Sequence, residues 1–184
     1  MSNDKPRMLE VYLQEYEKLK DEQTQRIGFR DNLLYVTLGV FGAVISFAVS
    51  NKANYYALLI IPWVCLILGW NYLVNDEKIT AIGKYIRLIL VEKIKEETGN
   101  NDIDSIFGWE ISHRNDQQRK RRKIVQLIID QITFVFSGIV GLIAFFILIP
   151  QPLGITQVLC WIELALLIVL SVEIVIYADL AKGR

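Results

Sequence analysis

Apolar residues along this chain gather into four long runs, at 33–50, 55–74, 132–149 and 153–178. Each is close to the ~17–25 residues that a helix needs to cross a hydrocarbon core. A buried helical core is the alternative, but it would require other elements to cover four such faces, and the remaining polar segments are too few. The pattern therefore predicts an all-α protein, an integral membrane four-helix bundle.

Outside the runs the pattern is amphipathic. Leu9, Tyr12, Tyr16, Leu19 and Gln23 recur every three or four residues among acids and lysines, a helical period. Pro6 suits a first turn, and the helix can continue into the first span through Gly28. The mixed charge of this segment favours packing on the protein's own cytoplasmic helices over lying on a membrane surface. After the second run, Ile79, Ile82, Ile86 and Ile89 repeat with Lys93 next in line. This reads as an extension of the second span, or as a helix that follows it after a bend at Asn75. Gly99, Asn100 and Asn101 supply a stop. A loop at 101–116 follows, and 117–131 leads without a breaker into the third span. The expected organisation is a cytoplasmic amphipathic helix (1–32), a transmembrane hairpin (33–74), a cytoplasmic helical hairpin extending spans two and three (75–131), a second transmembrane hairpin (132–178) and a cytoplasmic tail (179–184).

Charge adds direction. The formal net charge is zero, yet only Lys52 lies in the two connections 51–54 and 150–152, while the other nineteen Lys and Arg fall before the first run, between the second and third, or after the last. Basic residues near span ends are retained in the cytoplasm, so both termini and the 75–131 segment are expected there. The polar, charged opening is not expected to act as a cleavable signal peptide. Both outer connections are too short to bind a protein or build a catalytic site, which confines recognition to the cytoplasm or the bilayer.

Two acids, Glu163 and Glu173, interrupt the last run, and no Lys or Arg lies in its apolar body. With ~1.5 Å of rise per residue, Thr37, Asn71, Ser137 and Glu173 all fall about 5–9 Å from the cytoplasmic ends of their spans. They are expected to form an inner polar layer with Glu173 in reach of water; simple snorkelling of Glu173 is the blander alternative. Glu163 lies ~15 Å deep, near the midplane, where an acid costs about 2.5–3.5 kcal/mol. Without a cation at that depth it is expected to be neutral unless water reaches it. Gly42 and Gly141 sit at its level, and Gly42 with Ser46 and Ser137 with Gly141 fit a small-xxx-small pattern for close packing of the first and third spans. The acids lie ~80° apart on their helix, compatible with one inward face. Glu163 could then serve in two ways: a hydrogen bond across a subunit interface that holds a homo-oligomer together, which is favoured narrowly, or a proton or cation site in a pathway.

The remaining candidates are cytoplasmic. Arg119, Lys120, Arg121, Arg122 and Lys123 form a basic cluster that sets topology or meets anionic lipid, with nucleic acid not expected. Trp109, His113 and Arg114 lie on a loop, where binding groups concentrate, and are candidates for contact with a partner as well as for packing. His113 is the only histidine, Cys65 and Cys160 lie inside spans as small packing residues, and no nucleophile–base pair, metal-ligand spacing or phosphate loop is present. No enzyme activity, cofactor or metal is expected.

Three stretches carry a resemblance: PWVCLILGWNYLVNDEKITAIGKYIR at 62–87, RIGFRDNLLYVTLGVFGAVISF at 26–47 and FGWEISHR at 107–114. Together they resemble a family of small four-span bacterial proteins. Proteins of this build are similar to accessory membrane components of anti-phage systems, namely the partners in RNA-targeting CRISPR loci and the RADAR and Kiwa systems. The resemblance implies an inner-membrane, oligomeric defence component that senses or perturbs the bilayer and docks a cytoplasmic partner encoded nearby. The competing expectation, from the buried acid, is a small proton- or ion-coupled transporter or channel.

Overall fold

The computed structural model describes residues 5–99 and 118–178, less the side chains of Lys5, Pro6 and Arg119. These residues are all-helical, without a strand among them, and four of the helices are long and apolar enough to cross a membrane. The elements are α1 (Lys5–Ser50), a 3-10 segment (Lys52–Leu59), α2 (Ile60–Tyr85), a π segment (Ile86–Leu90), α3 (Val91–Thr98), α4 (Arg119–Asp130), a second π segment (Gln131–Phe136), α5 (Ser137–Leu148) and α6 (Gly154–Tyr177).

Local chemistry explains where they begin and end. The side chain of Asn51 accepts the Ala53 N–H and so caps the 3-10 segment, while Ser50 donates to the Phe47 carbonyl. Pro62 lies in the first turn of α2 and is fully buried. Gly99 closes α3 in the left-handed conformation, φ 64°, donating its N–H to the Lys95 carbonyl. Asn75 lies inside α2 and does not begin a separate helix.

The chain divides into two compact units. The first comprises 1–29 and 75–120. Here the start of α1 lies antiparallel to the stretch from 75 to 98: Arg26 donates to Asn75, Gln23 to the Ile79 carbonyl, and Tyr85 to Glu15. Leu9, Tyr12, Tyr16 and Leu19 cover a buried cluster of Ile86, Leu90, Val91 and Ile94. The expected face continued through Ile89, but Ile89 is 45% exposed and Leu90 is buried. The cause is the π segment, whose wider turn adds a residue between core positions and rotates everything after Ile86.

The second unit comprises 30–74 and 121–184. Its α6 turns a regular stripe inward, Cys160, Glu163, Leu167, Leu170 and Ile174, at alternating spacings of three and four. One cluster gathers Cys65, Leu142, Phe145, Cys160 and Leu167, and a second gathers Leu33, Tyr72, Phe134, Leu170 and Ile174. Three glycines leave space that side chains of neighbouring helices fill. A Cβ on Gly69 would lie 2.9 Å from a Leu170 methyl and 3.0 Å from Phe134 Cβ. On Gly138 it would lie 2.9 Å from both Leu167 methyls, and on Gly141 3.2 Å from Ile61. Less than half of each apolar window is covered by the rest of the chain, leaving large side chains such as Leu38, Ile67, Ile147, Ile155 and Trp161 exposed.

Candidate functional site

Glu163 occupies a core position in the α6 stripe and is 0% exposed. Neither of its carboxyl oxygens has a hydrogen-bond partner. The Trp63 indole on α2 comes within electrostatic reach without closing a hydrogen bond of normal geometry. Cys160, one turn away on the same face, and Cys65 on α2 line the surrounding core as free, buried thiols. A carboxyl left without partners in such a place loses its hydration and gains nothing in return. Within the single chain its own helices cover the carboxyl on every side.

Of the four groups expected to make an inner polar layer, three donate to carbonyls of their own helices. Thr37, also 0% exposed, donates to the Leu33 carbonyl at 2.7 Å, Asn71 to Ile67 at 2.8 Å and Ser137 to Ile132 at 2.9 Å. Glu173 is half-buried beside Ile174. Cross-helix polar contacts lie elsewhere. Gln131 and Ser171 exchange two bonds, the amide donating to the Ser171 carbonyl at 2.9 Å and the Ser171 hydroxyl to the Gln131 carbonyl oxygen at 3.0 Å. Gln126 donates to the Tyr72 hydroxyl and to Asp130, and the Arg30 guanidinium lies 5.8 Å from the Tyr72 ring centre. Gln126, Asp130 and Gln131 lie just before position 132, outside the run that marks the third span, so a reading by apolar runs passes over them.

The small residues divide as well. Gly141 packs on Ile61, whereas Gly42 has no neighbour within 4 Å and Ser46 is exposed. Where close approach of the first and third spans was expected, an apolar cleft of about 410 Å³ lies between Phe41 and Ile45 of α1 and Val140 and Ala144 of α5. The close pairings run instead through Gly69, Gly138 and Gly141, which join other helices.

On the cytoplasmic candidates less can be placed. Trp109, His113 and Arg114 lie outside the described residues. Lys120, Arg121 and Arg122 are exposed and Lys123 is half-buried. The exposed apolar side chains Ile124, Val125, Ile128 and Ile129 follow directly. In the first unit, the Tyr85 phenol is pushed above its ordinary range, mainly because Glu15 accepts its proton in a hydrogen bond at 2.7 Å and secondarily by burial. Among the described residues no group of three or more His, Cys, Asp or Glu could hold a metal ion. Compared with known protein families, characterised proteins and solved structures, the chain matches none of them.

Proposed function

We propose that the chain is a multi-pass protein of a bacterial inner membrane, with both termini and the 75–131 segment in the cytoplasm. In this reading it is a non-enzymatic component of an anti-phage defence system, which senses or perturbs the bilayer as a homo-oligomer and docks a cytoplasmic partner. The observation that carries the membrane part is the second unit's outer surface, on which large apolar side chains remain exposed along all four long helices. Water would penalise that surface at roughly 25 cal/mol per Å², whereas lipid would cover it. The one-sided distribution of Lys and Arg supports the orientation. The antiparallel pair in the first unit offers a polar helical surface suited to a protein partner. The defence role rests on the sequence resemblance alone.

Single cysteines test the orientation. Cys65 and Cys160 are buried, so labelling by an impermeant maleimide reports the introduced thiol. Lys52→Cys should label in intact cells and Arg121→Cys only after lysis; the reverse result removes the foundation of this reading. Phage challenge and dye leakage in expressing cells test the defence role, and cells that stay unprotected and intact under every phage tried argue against it.

The unpartnered carboxyl of Glu163 favours a second reading, a small proton- or ion-coupled transporter or channel. Glu163→Gln keeps the shape and removes titration, so transport should stop in that variant. If proton-coupled uptake into vesicles continues in it, this reading fails.

A further inference from the structure

We propose that the cleft between α1 and α5 is a binding site for one anionic phospholipid, with an acyl chain in the cleft and the phosphate at Lys52. This rests on the membrane reading above and names the component of the bilayer that the protein holds. The cleft is lined from Phe41 to Val49 on α1 and from Phe136 to Leu148 on α5, a length of ~12–18 Å at ~1.5 Å per residue. That is about the depth of one leaflet, half of a ~30 Å hydrocarbon core. Both stretches lie inside apolar runs of the sequence, so hydrocarbon is the medium that meets them.

The width selects the occupant. Spread over ~15 Å of length, a volume of about 410 Å³ leaves a cross-section of roughly 27 Å². A helix of a second copy is ~10 Å across, presents about 80 Å² and does not enter. An extended hydrocarbon chain is about 4–5 Å across at carbon–carbon contact distances, or roughly 13–20 Å², and fits. The lining is apolar except for two hydroxyls, and that of Ser137 already donates to the Ile132 carbonyl. The other belongs to Tyr55, and from it a row of side chains leads to a charge. Tyr55, Leu58 and Ile61 line the cleft at intervals of three. Residues 52–59 form a 3-10 helix, in which positions three apart lie one above the other. Lys52 is the next position of that row, exposed and ~6 Å beyond Tyr55 at ~2.0 Å per residue. It is also the only Lys or Arg in the connections 51–54 and 150–152. A chain seated in the cleft thus brings its phosphate beside an ammonium and a phenol, both of which donate to phosphate oxygens. A zwitterionic head group carries an ammonium of its own that competes for the same oxygens, so an anionic one is preferred.

The test titrates the full chain in non-ionic detergent with phosphatidylglycerol and with phosphatidylethanolamine, and counts bound lipid by native mass spectrometry. One phosphatidylglycerol per chain is expected, bound about fivefold more tightly than phosphatidylethanolamine, as for one Lys at an anionic head group. Lys52→Gln should remove that preference. Ala144→Phe, which places a ring in the cleft, should abolish saturable binding of both lipids, while Val158→Phe, exposed on α6 and not part of the lining, should change neither. In nanodiscs, phosphatidylglycerol with a diazirine on its acyl chain should label 41–49 and 136–148. Labelling spread evenly over the exposed apolar faces overturns the proposal, because it shows annular lipid only. So does an undiminished preference in Lys52→Gln, or unchanged binding in Ala144→Phe. A dimer that binds no lipid and dissociates in Ala144→Phe also overturns it, giving the cleft to a second copy. A chain that partitions into membranes without this saturable lipid loses the site and keeps the membrane reading, whereas a chain soluble without detergent loses both.

Discussion

Replacing Glu163 by methionine should stabilise the protein. The side chain is fully covered, and its two oxygens have no hydrogen-bond partner. An unsatisfied buried polar group costs about 1–3 kcal/mol, and exchanging buried polar groups for apolar ones of similar volume often returns free energy of that size. Methionine is close in length, unbranched and able to follow the space between Cys160 and Leu167. A gain of about 1–3 kcal/mol is therefore expected for Glu163→Met, and a smaller one for Glu163→Gln, which exchanges one set of unsatisfied atoms for another. Reversible unfolding in mixed micelles, with the denaturing detergent fraction varied and helicity followed by circular dichroism, measures the difference. If Glu163→Met unfolds more easily than the wild type, the carboxyl has a stabilising partner within the folded protein, and the reasoning built on its isolation is wrong.

Other substitutions test the packing and the polar contacts by the same assay. Gly69→Ala should cost about 1–3 kcal/mol, because the new methyl would meet Phe134 Cβ, a stem that cannot swing away, while Gly42→Ala should stay within about 0.5 kcal/mol. Equal effects at the two positions would contradict the assignment of helix contacts. A double-mutant cycle of Gln131→Leu with Ser171→Ala should give a coupling of about 0.6 kcal/mol, and additive losses would mean that the reciprocal pair does not act as one. Tyr85→Phe should cost about 1 kcal/mol at neutral pH through loss of the bond to Glu15. Because folding raises the Tyr85 pKa, its contribution is complete below the unfolded value near 10 and fades as pH climbs through the folded one. The gap between wild type and variant should therefore close in strongly alkaline buffer, and a gap independent of pH would assign the loss to packing.

What could be read from the sequence was whatever length and period encode. Four apolar stretches give four long helices because each sustains a single state over enough residues to outweigh local irregularity, and Gly99 marks a stop because only its αL conformation is needed there. The face that Leu9, Tyr12, Tyr16 and Leu19 share was visible for the same reason. Phase after a π segment was not. Nothing in IRLIL or QITFVF marks a wider turn, so a constant helical period assigns Ile89 to the core in place of Leu90. Small residues posed a different difficulty. Spacing shows that two of them share a face, as Gly42 and Ser46 do, but which helix that face meets depends on the pairing of all four. Gly69, and Gly138 with Phe134 and Leu142 four residues either side, make the closer approaches. Counting depth from the ends of the apolar runs passed over Gln126, Asp130 and Gln131, whose polar contacts lie just before the third run.

The treatment of polar groups in the second unit bears on what Glu163 is for. Thr37 and Ser137 give their protons to carbonyls of their own helices, Gln131 and Ser171 satisfy each other, and Gln126 bridges Tyr72 and Asp130. A bundle able to place donors and acceptors so closely nevertheless leaves this acid without a hydrogen bond of normal geometry, the neighbouring Trp63 indole included. The isolation of this carboxyl is therefore local to one level of one helix face and not a general looseness of packing. A group kept apart in this way binds an incoming positive charge more tightly than a satisfied one does, since it gives up no existing hydrogen bond on doing so.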